Sequence, residues 1–183
     1  MDNSDKLTQA LNELDQLLTK ESLSLEIVIC GAYAIQLYGI TRNIFTQDID
    51  SIKPLESQKV LDIIQQVGSS LGLGPHWLND QASTVTIPEG IFDRAKPIRK
   101  WKSIKASLVD RSDLIKMKAA AFSVRREQTP KDWEDLEALG PTGAEIQSAI
   151  IFLQKNFSPP QGSSRKINNE FQETLDDLKK LIK

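Results

Sequence analysis

The chain has 183 residues, 39% of them hydrophobic, which is enough for one core and a helical extension. Its 23 basic and 25 acidic residues leave a formal net charge of -2, which argues against a broadly basic nucleic-acid surface and still allows a local basic patch. A single cysteine excludes a disulfide framework, and the lack of a signal-like or membrane-length apolar segment leads us to expect a cytoplasmic protein with no membrane partner.

In residues 4–20, Leu7, Leu11, Leu14 and Leu18 recur at helical spacing, with Asp5, Glu13 and Lys20 elsewhere. This predicts an amphipathic helix that covers a sheet or offers a partner surface. Residues 22–26 lead into an apolar, β-branched run at 27–30 that reads as a strand, with Cys30 as a small buried hydrophobe. Gly31 turns the chain, and an apolar segment with Tyr33, Ile35 and Leu37 reads as a helix ending at Gly39. Arg42 follows in a loop, either as a solvated charge or as a guanidinium near nucleotide phosphates. The next extended segment carries Asp48 and Asp50, which a strand projects from one face. Such a pair suits Mg²⁺, which is commonly bound by one or two carboxylates plus substrate phosphates. The glycine turn before it opens a helix whose free amides suit phosphate.

Past Pro54, Val60, Ile64 and Val67, joined by Leu61 and Ile63, mark a second helix expected to cross over the sheet and to end at Gly68, Gly72, Gly74 and Pro75. In HWLND at 76–80, His76 reads as a structural or surface residue, because there is no second His to complete a zinc set. Trp77 reads as a core or pocket-edge ring, with base stacking as the alternative. Residues 83–87 alternate and are β-branched, which predicts a strand stopped by Pro88-Glu89-Gly90. Arg94, Lys96, Arg99, Lys100, Lys102 and Lys105 concentrate positive charge, as a solvated face or as an approach for triphosphate or RNA. Ile104, Ala106 and Leu108 suggest another strand, entering Val109-Asp110-Arg111.

From Asp113 a helix is expected with Leu114, Met117, Ala121 and Val124 on one face. Thr129, Pro130 and Asp132 read as the start of a further helix, whose Trp133, Leu136 and Leu139 cover core. Lys118 or Arg125 is expected to pair with Asp132 or Asp135, with substrate contact as the alternative. Gly140-Pro141 ends that helix, and Thr142 with Glu145 starts the next, with Ile146, Ile150 and Leu153 on one face. Residues 157–164, FSPPQGSS, form a flexible connection. A final helix carrying Phe171, Leu175, Leu178 and Ile182 docks on its own chain or makes a dimer contact.

Taken together, GAYA at 31–34, LYG at 37–39, Arg42, Thr46 and DID at 48–50 resemble the DNA polymerase β-like nucleotidyltransferase superfamily. There, Gly-Gly or Gly-Ser after the first strand is followed by Asp-x-Asp on the second. More narrowly, the chain is similar to the small bacterial nucleotidyltransferase-like proteins, AbiEii-like and DUF6036-like, some of which are antitoxins or toxins. WLND matches one branch of these proteins, and Lys118, Arg125, Pro130-Lys131-Asp132 and Asp135 resemble a K…A…R…P-R-D…D pattern with Lys131 at the usual Arg. The resemblance spans about residues 25–140.

The resemblance implies an α+β fold of the polymerase β-like kind. Residues 1–140 would form a strongly twisted mixed sheet of three to five strands flanked by helices, and residues 141–183 a helical extension packed on the domain or on a partner. Asp48 and Asp50 would be catalytic and would hold Mg²⁺. Gly31, Ala32, Arg42, Thr46 and Lys118 would contact a nucleoside triphosphate. An RNA or protein hydroxyl would attack the α-phosphorus and pyrophosphate would leave, within a toxin–antitoxin system. The chain departs from the pattern at Ala32, in the longer interval from Arg42 to Thr46, and in having no acidic residue between Ile104 and Val109 for a third carboxylate. Asp80, Asp93 and Asp110 are the remaining candidates for it. These departures keep open a second reading, a noncatalytic antitoxin or interaction module on the same fold.

Overall fold

The computed structural model describes residues 3–41, 46–98, 100–125 and 130–182. The chain forms two compact units, Met1–Val85 with Gly90–Asp110 and Thr86–Glu89 with Arg111–Lys183.

The first unit holds a five-stranded sheet in the order β3-β2-β1-β5-β4. Its strands are β1 (Leu25–Cys30), β2 (Ile49–Ser51), β3 (Leu78–Asn79), β4 (Lys96–Ile98) and β5 (Ile104–Leu108). β1 runs parallel to β5 and antiparallel to β2, while β2 is parallel to β3 and β4 antiparallel to β5, so the sheet is mixed as expected. Parallel neighbours need a crossover. Between β2 and β3 it is α3 (Gln58–Ser70), which buries Val60, Ile64 and Val67.

One sheet face is apolar: Ile27 and Ile29 of β1, Ile49 of β2, and Ala106 of β5 are all buried. The leucine stripe of α1 (Asn3–Lys20) is buried too, at Leu7, Leu11, Leu14 and Leu18. Asp15 ties α1 to the start of β5, because its Oδ1 accepts from the backbone N–H of Ser103 (2.7 Å) and Ile104 (3.0 Å). α2 (Gly31–Leu37) buries Tyr33 and Ile35. Burial raises the Tyr33 phenol above its ordinary pKa, opposed by its hydrogen bond with the Thr8 hydroxyl (3.1 Å). The hydroxyl of Tyr38, just past α2, donates to the Val109 carbonyl at 2.7 Å and so ties this helix to the end of β5.

Two local expectations change. Gly68 does not end α3 but lies inside it, where a Cβ would come within 2.6 Å of Trp77 Cδ1. Trp77 is 1% exposed and its indole N–H donates to the Ile64 carbonyl at 2.8 Å, so it is a core ring with no face left for a base. Residues 83–87 form no strand. The chain curls directly after β3, because Asn79 Oδ1 accepts from Gln81 N–H (3.1 Å) and Ser83 N–H donates to the Asp80 carbonyl (2.8 Å), giving a 3₁₀ turn at Gln81–Thr84. Val85 is then 51% exposed, so the β-branched run there covers no core. A further short helix, α4 (Ile91–Arg94), precedes β4.

The second unit is helical: α5 (Arg111–Arg125), α6 (Lys131–Leu139), α7 (Gly143–Asn156) and α8 (Arg165–Lys179). The expected boundary at 140/141 falls inside it, between α6 and α7. Of the expected face of α5, Leu114 is buried while Met117 and Ala121 are half-buried and Val124 is 68% exposed; the helix instead buries Ile115, Lys118, Ala119 and Phe122 beside Leu114. The buried residues of α5 also include two charged ones, Asp113 and Lys118, which the apolar periodicity could not reveal. Phe122 meets Trp133 at 5.2 Å between ring centroids. Arg111 Nη2 donates to the carbonyls of Leu139 (2.7 Å) and Gly140 (3.2 Å), satisfying the end of α6. The expected capping box at Thr142 and Glu145 opens α7. α8 buries Leu175 and Leu178 and packs on α5 and α7 of its own chain. Thr129, expected to cap α6, lies outside the described residues.

Candidate active site

The site is built where β1 ends and β2 begins. Cys30 closes β1 in extended conformation, and Gly31 enters α2 at φ +68, a left-handed value that disfavours any side chain. The antiparallel register places Asp50 opposite Cys30. A second demand on Gly31 follows, because a Cβ there would overlap Asp50 Oδ2 and lie 3.1 Å from its Cγ. Glycine is thus required both by the turn and by the carboxylate packed against it.

Asp50 is half-buried, and its other oxygen is oriented by Asn79: the amide Nδ2 donates to Asp50 Oδ1 at 3.2 Å. Asn79 is also the Cα partner of Asp50 in the β2–β3 pair. Asp48, just before β2, is half-buried as well, and the Thr46 hydroxyl donates to its Oδ1 at 2.6 Å and to its carbonyl at 3.2 Å. Ile49 between the two aspartates is fully buried, so alternation sends both carboxylates to the opposite sheet face.

The site residues expected from the sequence are distributed as follows. Gly31, Ala32, Thr46, Asp48 and Asp50 lie together at this strand end, with Ala32 3% exposed. Thr46 is 2% exposed, and its hydroxyl serves Asp48. Arg42 lies outside the described residues. Lys118 belongs to the second unit, where its ammonium lies 2.6 Å from Asp135 Oδ2 and 3.5 Å from Asp132 Oδ1. Arg125 donates to both Asp132 oxygens through Nη2, at 2.8 and 3.1 Å, so the expected pairing with Asp132 and Asp135 is present.

The position of a third carboxylate can be read from the strand register. Val28 pairs with Ser107, and Val28 and Cys30 share a face, so Ser107 of β5 lies on the sheet face of Asp50. Asp110 comes after the strand and pairs with Lys96 at 3.3 Å, and Asp80 accepts from the Leu55 N–H at 2.8 Å. Asp93 sits in the first turn of α4. Among the described residues, no group of three or more His, Cys, Asp and Glu side chains is arranged to hold a metal ion. Two carboxylates beside a side-chain-free turn nevertheless fit Mg²⁺, which keeps several waters and takes its remaining oxygens from phosphates.

In the basic segment, Lys96 is engaged by Asp110, and the Lys100 ammonium lies 5.4 Å over the Trp101 ring. Arg99 lies outside the described residues. His76 is exposed, and its carbonyl accepts from Asn79 at 3.3 Å. Asn79 itself went unrecognised in the sequence. Its signal was the WLND stretch, and its role depends on a two-residue strand too short to give an alternating pattern.

The family model described as "Nucleotidyltransferase of unknown function (DUF6036)" matches residues 5–169. This chain therefore belongs to that nucleotidyltransferase family. No curated protein and no solved structure gives a match.

Proposed function

We propose that Asp48 and Asp50 hold Mg²⁺ together with a nucleoside triphosphate, and that the site transfers a nucleoside monophosphate to an RNA or protein hydroxyl. The observation that carries this reading is the packing of the Asp50 carboxylate against Gly31, which joins the acidic pair to the backbone turn. The amides of Gly31 and Ala32 would then donate to the β- and γ-phosphates. Mg²⁺, when bound, neutralises charge on the transferring phosphate. The acceptor hydroxyl would form a bond to the α-phosphorus, the bond from that phosphorus to the β-bridging oxygen would break, and pyrophosphate would leave. Ser107 is no general base, so the hydroxyl proton would pass to water. A toxin–antitoxin role in the cytoplasm is the setting that the family resemblance suggests.

A second reading is favoured by Ser107 on the Asp50 face and by Ala32 at the second glycine position: a nucleotidyltransferase-like antitoxin or homodimeric interaction module without transfer. Its mark would be stoichiometric protein binding that survives Asp48→Ala. The metal–nucleotide reading is tested by calorimetry of ATP binding with Mg²⁺ and with chelator. The affinity should rise about tenfold or more with Mg²⁺, and Asp50→Ala should remove most of that gain while circular dichroism shows a folded sheet. Equal affinity in the two conditions would refute the site.

A further inference from the structure

Asn79 is 92% buried at the second position of β3, and its amide group is used on both sides. Its Oδ1 accepts from Gln81 N–H at 3.1 Å, and its Nδ2 donates to Asp50 Oδ1 at 3.2 Å and to the His76 carbonyl at 3.3 Å. The amide orientation is fixed by chemistry, since flipping it would aim an oxygen at two acceptors and an NH₂ at a donor. The backbone beneath it is fixed as well, because Asp50 and Asn79 are paired across β2 and β3.

We infer that Asn79 is a positioning residue for Asp50: it holds one carboxylate oxygen so that the other stays against the Gly31 turn. This rests on the metal–nucleotide reading of that site. Groups that hydrogen-bond a metal-ligating carboxylate set its orientation, and losing them commonly costs 10- to 100-fold in metal affinity. The assignment extends the site to a third element, so that the α3 crossover, which delivers β3 to the edge of β2, serves the site and not only the core.

The test uses Asn79→Ser in the full chain. A serine hydroxyl can still accept from Gln81 N–H in the turn but is too short to reach Asp50. ATP affinity is measured by calorimetry with Mg²⁺ and with chelator, alongside a thermal melt. The ratio of the two affinities should fall about tenfold, with the chelator value and the melting midpoint little changed. In the wild type, the Asn79 side-chain amide resonances should also shift when Mg²⁺ and ATP are added together. An unchanged ratio would overturn the inference and leave the metal site standing. Affinities that fall equally in both conditions would mark Asn79 as merely structural, which also overturns it. No Mg²⁺ gain in the wild type would overturn the metal–nucleotide reading and this inference with it. Should Asn79→Ser fail to fold, Asn79→Thr keeps the turn acceptor on a strand-favouring side chain and carries the same expectation.

Discussion

Asp132 with Asp135, and Asp48 with Asp50, are two close pairs of aspartates whose surroundings differ. Asp132 and Asp135, on α6, are nearly fully buried and meet two cations, Lys118 and Arg125. Asp48 and Asp50, at β2, are half-buried and receive hydrogen bonds from a hydroxyl and an amide, Thr46 and Asn79. The first cluster balances its charge within one helical unit. In the second, Thr46 and Asn79 each donate to one carboxylate, and the other Asp50 oxygen rests on a turn that excludes a side chain. A buried carboxylate without a nearby partner is costly, so the two cations are what allow Asp132 and Asp135 to sit in the interior of their unit.

The largest effect should come from the buried cluster. Lys118→Met removes the ammonium 2.6 Å from Asp135 and should lower the unfolding free energy by about 3–5 kcal/mol in urea titration. A loss under about 1 kcal/mol would mean that the cluster is screened like a surface pair. Next is Gly31→Ala, which combines a positive φ with overlap on Asp50 and should cost about 1–3 kcal/mol while removing the Mg²⁺-dependent gain in ATP affinity. If it binds Mg²⁺ and ATP like the wild type, the contact between turn and carboxylate is not part of the site. Arg125→Ala should cost less, about 0.5–1 kcal/mol, because its side chain is 50% exposed and Lys118 still faces Asp132. Smallest in stability is Asp48→Asn, expected within about 0.5 kcal/mol of wild type, since its amide oxygen can still accept from Thr46. The same variant should lose the Mg²⁺ gain, so stability and binding would separate at Asp48 and not at Lys118.

The sequence exposed these two regions unequally. The strand–glycine–helix turn and the Asp-x-Asp pair were legible because glycine at a turn and two carboxylates two residues apart are strictly local signals. The leucine stripe of α1 was legible for the same reason. What failed was nonlocal. Periodicity chose Met117 and Val124 as core on α5, because it could not know that Lys118 would be buried against aspartates from the next helix. Residues 83–87 had the alternation of a strand, yet the Asn79 turn curls the chain before it can pair. Gly68 looked like a helix stop because its reason, the indole of Trp77, comes from nine residues further on. That Ser107 shares the Asp50 face became visible only with the register of β1 against β5.

In the function proposed above, the half-buried pair, and not the buried one, takes the metal–nucleotide complex. Mn²⁺ with a nonhydrolysable ATP analogue reports this directly, because the paramagnetic ion broadens backbone NMR signals near its own position. Signals of Gly31, Ala32 and residues 48–51 should disappear first at substoichiometric Mn²⁺, and Asp50→Ala should abolish the effect. Broadening centred on 132–135, or uniform weak broadening that Asp50→Ala leaves unchanged, would contradict the account.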